Sequence, residues 1–256
     1  MKIALLQTIL SWENPAENRD LLYRKINAIS KDVDVIVLPE MFTSGFTMNP
    51  NSVAETMQGA TILWLKEVAH KRNCAITGSL VIEENARFFN RLVFVFPTGE
   101  IQYYDKRHLF TLAGEHQVYT SGIEKIVVTY KGFKICPLIC YDLRFPVFSR
   151  NAEDYDVLIY VANWPKPRTN AWDILLRARA VENMSYVVGV NRIGFDANNH
   201  EYIGHSQAVD YLGNYLLQPQ ETDEVFIVEL DKEKMLETRS KLAFLNDKDA
   251  FQIRNF

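Results

Sequence analysis

Short apolar runs, separated by polar and turn-forming residues, recur along the whole chain. The first, "KIALLQ", is too brief for a helix and reads as a strand. In "NPAENRDLLYRKINAIS" the apolar residues Leu21, Leu22, Ile26 and Ile29 share one helical face. Asn14 can cap that helix, Pro15 suits its first turn, and Glu17 completes a capping-box spacing. "VDVIVLPE" is a β-branched run continuous enough for a strand covered on both sides.

The same alternation returns downstream. "GATILWLKEVAHKRN" predicts a helix, and "CAITGSLVIEE" with "ARFFNRLVFVFP" predicts two strands around a turn near Asn85. "GEIQYYDK" reads as another strand after the Thr98-Gly99 turn, and "KIVVTYKGFKICPLIC" as a hairpin across Lys131-Gly132. "YDVLIYVANW" is a strand; "TNAWDILLRARAVEN" is a helix capped by Thr169 or Asn170. "SYVVGVNRIG", "IGHSQAVDYLGNYLLQ" and "DEVFIVEL" supply further strands, and "DKEKMLETRS" a last helix. Strands outnumber helices and both run from end to end, with no linker or low-complexity segment. One α/β domain over residues 1–256, with two packed sheets and helices outside them, fits this pattern.

Composition narrows the partners. The net charge is −4 and no basic block tracks a phosphate backbone, which argues against nucleic acid. The apolar start of the chain lacks a cleavage site, and no run approaches the roughly 18 apolar residues of a membrane span. A cytoplasmic protein with no membrane partner is expected. Cys74, Cys136 and Cys140 form no CxxC pair, which argues against a disulfide framework or structural zinc. Gly-rich phosphate cradles are missing. His108, His116 and His205 have no metal-ligand spacing, so no metal and no cofactor are expected.

The chemistry sits where apolar runs stop. "VIVLPE" ends in Glu40, "IQYYDK" in Lys106, and "KICPLIC" in Cys140. Side chains just past strand ends are exposed yet rigidly held. A thiol is a weak nucleophile until it loses its proton, and a carboxylate within reach can take that proton. An ammonium can face the oxyanion formed when sulfur adds to a carbonyl. Base, electrophile and nucleophile are present without a metal.

"LPEMFTSGF", "YDKRHLF" and "ICYDLRFP" resemble, in order, the three signature blocks of the nitrilase (carbon–nitrogen hydrolase) superfamily. "AGEHQVYTSG", "ANWP", "LLRARAVEN" and "VGVNRIG" are also similar to family segments, so the resemblance covers nearly the whole chain. The closing "FLNDKDAFQI" resembles the tail of the YafV-type omega-amidase branch. The resemblance implies a four-layer αββα sandwich of two mixed sheets, paired into a homodimer through its outer helices. It implies Glu40 as general base, Lys106 as oxyanion stabiliser, Cys140 as nucleophile and Glu115 as a second carboxylate in the site. Backbone N–H groups around Tyr141 would complete the oxyanion hole.

The implied activity is hydrolysis of small ω-amides of 2-oxo dicarboxylic acids through a thioester, releasing ammonia. An N-carbamoyl amine or amino-acid hydrolase, or another amidase of the superfamily, is the nearest alternative; a non-catalytic binding protein on this scaffold is a remote one. The substrate's far carboxylate needs a cationic partner when desolvated. Arg168 is one candidate, with Arg144 and Lys166 as others; Phe42, Phe46 and Trp164 are candidates for the pocket wall. Asp142 and Arg144 are otherwise read as a structural pair that fixes the turn after Cys140. "TSGFTMNP" and "FTLAGEHQVY" read as loops shaping the entrance.

Overall fold

The strand–helix alternation becomes two stacked sheets in the computed structural model, which describes residues 1–29 and 32–253. In chain order the elements are β1 (Lys2–Leu6), α1 (Pro15–Asn27), β2 (Val35–Val37), α2 (Ala60–Arg72), β3 (Ala75–Glu84), β4 (Arg87–Val95) and β5 (Ile101–Asp105). There follow α3 (Glu115–Val118), β6 (Val128–Tyr130), β7 (Phe133–Ile139), α4 (Pro146–Ser149), β8 (Val157–Ala162), α5 (Thr169–Asn183) and β9 (Tyr186–Asn191). The chain closes with β10 (Ile193–Phe195), β11 (Glu201–Ile203), β12 (Ser206–Val209), β13 (Tyr215–Gln220), β14 (Val225–Glu229) and α6 (Lys232–Leu242).

Among the described residues, one six-stranded sheet has the order β14-β1-β2-β3-β4-β5 and the other the order β13-β12-β9-β8-β7-β6. Strands β1, β2 and β3 run parallel at the centre of the first sheet, as β7, β8 and β9 do in the second. Antiparallel strands flank each trio. A separate hairpin pairs β10 with β11.

The period of two along a strand explains the layers. In β1, Ile3 and Leu5 enter the core shared with the second sheet, while Ala4 and Leu6 face the opposite way. There they meet Leu22 and Ile26 of α1 and Ile62, Leu65 and Val68 of α2. On the far side α5 buries Trp172, Leu176 and Ala180. Each leucine, isoleucine or valine among them gains about 1.5–3 kcal/mol by leaving water. Gly189 of β9 is what lets α5 come so close, because a Cβ there would lie 2.6 Å from Leu176. The arrangement is the expected αββα sandwich in one domain.

Local capping is partly as expected. Asn14 caps α1 as read from the sequence, accepting from the Glu17 N–H. The return bond to the Glu17 carboxylate comes from the Asn14 side-chain amide and not from its backbone N–H, so the full capping box is not formed. Asp231 caps α6 through the Lys234 N–H. Neither Thr169 nor Asn170 caps α5, however. Its N-cap is Arg168, with no side-chain bond, because a 3₁₀ turn over Lys166–Arg168 runs straight into the helix. The end assigned to the first helix, Ser30, lies outside the described residues, as do the last three residues of the expected domain. No helix among the described residues is long and apolar enough to cross a membrane.

Candidate active site

Three strand ends meet. Glu40 lies three residues past β2, and its loop is fastened to β3: the Met41 N–H donates to Ser79 Oγ at 2.9 Å and the Phe42 N–H to the Ser79 carbonyl at 3.0 Å. Gly78 makes room for it, since a Cβ there would lie 2.8 Å from Leu38. Lys106 directly follows β5, and Cys140 directly follows β7 as the first residue of a 3₁₀ turn, Cys140–Arg144. Met41 and Cys140 both adopt φ +43°, a left-handed conformation that non-glycine residues hold only when their surroundings enforce it.

The polar groups form one network. Lys106 Nζ donates to Glu40 Oε1 at 2.8 Å and to Glu115 Oε2 at 2.9 Å. Asn90 Nδ2 bridges the same carboxylates, at 2.9 Å to Glu40 and 3.2 Å to Glu115. The Phe110 N–H, at 2.5 Å, also holds Glu115. From the second sheet, the Asn163 N–H donates to Glu40 Oε2 at 2.9 Å and its side-chain amide to the Glu40 carbonyl at 2.6 Å. The Cys140 thiol borders this set, close enough for the Glu40 carboxylate and the Lys106 ammonium both to act on its ionisation. Thus Glu40, Lys106, Glu115 and Cys140 are brought together as expected.

The electrostatics are those of charges beneath the surface. Burial pulls the Lys106 ammonium down, and the carboxylates of Glu115 and Glu40 more than reverse it, so it stays protonated. Burial raises the Glu115 carboxyl, with Lys106 pulling it back. The Cys140 thiol is pushed well above its ordinary range, first by burial and then by Glu40; Lys106 opposes this only in part. Burial and the Glu40 carboxylate thus both favour the thiol over the thiolate.

Above the network opens a cavity of about 630 Å³ lined by Cys140, Lys106 and Asn163. Its size is in the range of small-molecule sites. Phe46, Tyr141, Trp164 and Arg168 all reach it, as the sequence suggested. Phe42 does not: it is fully buried between the first sheet and α2, its ring centroid 6.4 Å from that of Trp64. Lys166 is likewise elsewhere, paired with Glu201 on the surface at 2.8 Å.

Arg144 corrects another expectation. It makes no pair with Asp142; it lines the cavity, with its guanidinium 4.9 Å from the Trp164 ring. Arg168 lies 5.1 Å from the ring of Phe110. Among the described residues neither guanidinium has a carboxylate partner. The opposite wall comes from the β10–β11 hairpin, where the Tyr202 hydroxyl donates to Asp196 at 2.9 Å.

The sequence reading missed Asn90 and Asn163. Asn163 follows β8 as Glu40 follows β2, so the strand-end rule applied to "VLIYVAN" finds it. Asn90 had a fainter signal, an amide within an apolar strand where Asn is disfavoured.

Comparison with known proteins places the chain in a family. The carbon-nitrogen hydrolase family model matches residues 2–240. The chain belongs to that family. This carbon–nitrogen hydrolase is 41% identical over 254 residues to the omega-amidase YafV of Escherichia coli, covering 99% of this chain and 98% of the relative. Against the omega-amidase YafV of Yersinia enterocolitica the identity is 44% over 260 residues, with 98% of each covered. The 2-oxoglutaramate amidase of Bacillus subtilis is 34% identical over 96% of each chain. Among solved structures, a CN-hydrolase superfamily protein from Xanthomonas campestris, with an arsenic adduct in its active site, superposes with a TM-score of 0.97 at 40% identity over 99% of both chains. The hydrolase thus has its family's fold from end to end.

Proposed function

We propose that this carbon–nitrogen hydrolase is an omega-amidase that releases ammonia from small ω-amides of 2-oxo dicarboxylic acids. The observation that carries the reading is the meeting of Lys106 and Cys140 at one cavity, with Glu40 buried beneath them and hydrogen-bonded to Lys106. Substrate class rests on the relatives, two named omega-amidase and one 2-oxoglutaramate amidase, each matched over nearly its whole length.

The reaction runs in two halves. Cys140 sulfur adds to the amide carbon while Glu40 takes the thiol proton. Negative charge moves to the former carbonyl oxygen, where Lys106 Nζ and the Tyr141 N–H face it; one such donor is worth about 10²–10³ in rate. Glu40 then hands the proton to nitrogen, the carbon–nitrogen bond breaks, and ammonia leaves a thioester. Water adds to that thioester, its proton passing through Glu40 to sulfur, and the free acid departs. Glu115 acts through Lys106, which it holds charged and aimed with Glu40.

Arg144 and Arg168 serve the substrate's far carboxylate. A guanidinium without a carboxylate partner at a cavity wall is suited to bind one bidentately. Phe46, Tyr141 and Trp164 supply the apolar wall between. The same reading pairs two copies through the outer helices, where Ile174 and Val181 stand exposed on α5.

The test is ammonia release from 2-oxoglutaramate, 2-oxosuccinamate, N-carbamoyl amines and a nitrile, with quenched intact-mass analysis. Turnover of the oxo-amides with an acyl adduct on Cys140 is expected. Turnover confined to the carbamoyl compounds overturns the omega-amidase reading.

A further inference from the structure

Asp142 lies two residues past Cys140, fully buried, and has no part in the steps above. Its carboxylate nevertheless gathers donors from both sheets. Oδ2 accepts from the Ile139 N–H at 3.0 Å and from the Tyr104 hydroxyl at 2.8 Å. Oδ1 accepts from the His108 N–H at 3.1 Å and lies 2.7 Å from His108 Nδ1. The Tyr104 hydroxyl in turn accepts from the Arg107 N–H at 2.9 Å.

The order of these partners in the chain matters more than their number. Ile139 immediately precedes Cys140. Tyr104, Arg107 and His108 bracket Lys106. One carboxylate therefore ties the residue before the thiol to both flanks of the ammonium, across the gap between β7 and β5. A ring contact reinforces the tie: His108 stacks on Phe145, at the end of the Cys140 turn, with centroids 3.8 Å apart and planes within 5°.

This is where the backbone most needs holding. A non-glycine residue at φ +43°, as Cys140 is, costs about 1–3 kcal/mol and persists only if its surroundings over-determine it. The Ile139 N–H to Asp142 bond closes the turn around that residue.

We propose that Asp142 is a positioning residue that sets the distance and angle between Cys140 and Lys106. The proposal rests on the Glu40–Lys106–Cys140 reading. Asp142 does not line the cavity, so its replacement should alter the chemical step and leave substrate binding nearly as it was. An amide at this place offers a single acceptor oxygen, and its NH₂ would confront N–H donors that now meet a carboxylate. Misplacement on the scale of 1 Å costs about 10²-fold in rate.

The experiment uses the full chain with 2-oxoglutaramate, active sites being counted by alkylation of Cys140 with iodoacetamide. Asp142→Asn is expected to lower kcat per active site about 10²-fold with KM nearly unchanged. Tyr104→Phe, which removes one donor to Asp142 and the hydroxyl that accepts from the Arg107 N–H, should lower kcat about tenfold. The double variant should fall short of the product of the two, because both act on one arrangement. A lower melting temperature with kcat within about threefold of the parent overturns the proposal, as does a rise in KM alone. Should Asp142→Asn fail to fold, Tyr104→Phe decides by the same criteria. If the parent turns over none of the amides, the omega-amidase reading fails, and the alkylation rate of Cys140 still judges the geometry. An unchanged rate in both variants then overturns it.

Discussion

The two sheets are built alike and furnished differently. Each has three parallel strands at its centre, and the middle strands, β2 and β8, end beside one another at Glu40 and Asn163. The contents diverge from there. The first sheet contributes the charges: Glu40, Lys106 and, between them, the Asn90 amide. The second contributes the thiol and neutral amides. The crossovers differ too. Between β1 and β2 the chain forms the thirteen-residue helix α1, whereas between β7 and β8 that stretch holds the Cys140 turn and the four-residue α4. A site divided in this way has no chemistry in either sheet alone. The packing of one sheet on the other thus sets the distances within the network.

Removing the charge of the first sheet should have the largest effect. Glu40→Gln keeps the shape but cannot accept the thiol proton, and kcat should fall about 10²–10⁴-fold. Stopped-flow ammonia release measures it; a variant within tenfold of the parent would make a pre-formed thiolate the nucleophile. Lys106→Gln leaves the buried carboxylates of Glu40 and Glu115 unpaired, which costs about 3–5 kcal/mol in urea unfolding at pH 8. That loss should shrink toward pH 5. Burial already raises Glu115 above its unfolded value, so protonation on acidification removes the uncompensated charge and favours the folded state.

Smaller changes probe the seam from the second sheet. Asn163→Ala orphans the Glu40 carbonyl, and a stability loss of about 1–3 kcal/mol is expected. The accompanying fall in kcat should be about tenfold, since the Asn163 N–H still holds Glu40. A variant with intact kcat would show that the seam serves folding only. The smallest effect lies at the outer margin, where Asp173 raises the His205 imidazole above its ordinary 6.5. A raised value contributes stability below the unfolded pKa and loses it as pH rises through the folded one. His205→Gln should therefore cost about 0.5 kcal/mol at pH 5.5, allowing for solvent screening, and nothing near pH 9. Melting curves at the two pH values separate these outcomes.

Much of this was legible in residue order, for a local reason. Strands, hairpin turns and the α1 cap depend on neighbours in the chain, and Asn14, Asn85 and Lys131–Gly132 act where the pattern placed them. Strand ends also announced Glu40, Lys106 and Cys140. What could not be read was decided across the fold. Phe42 sits two residues from Glu40 yet turns into the core, because Gly78 lets its loop close down onto β3. Arg144 is close to Asp142 in sequence, but that carboxylate is already taken by Tyr104, His108 and the Ile139 N–H. Lys166 and Arg168 are two residues apart, and only the second reaches the cavity. Their separation follows from the 3₁₀ turn that leads into α5.

On the proposed mechanism, favouring the thiol over the thiolate until an amide arrives has a consequence for survival. Peroxides and stray electrophiles react with thiolates, and a thiol whose ionisation is suppressed by burial and an adjacent anion offers them little. The sulfur that attacks the amide on this mechanism is thereby shielded between turnovers by the same carboxylate that takes its proton.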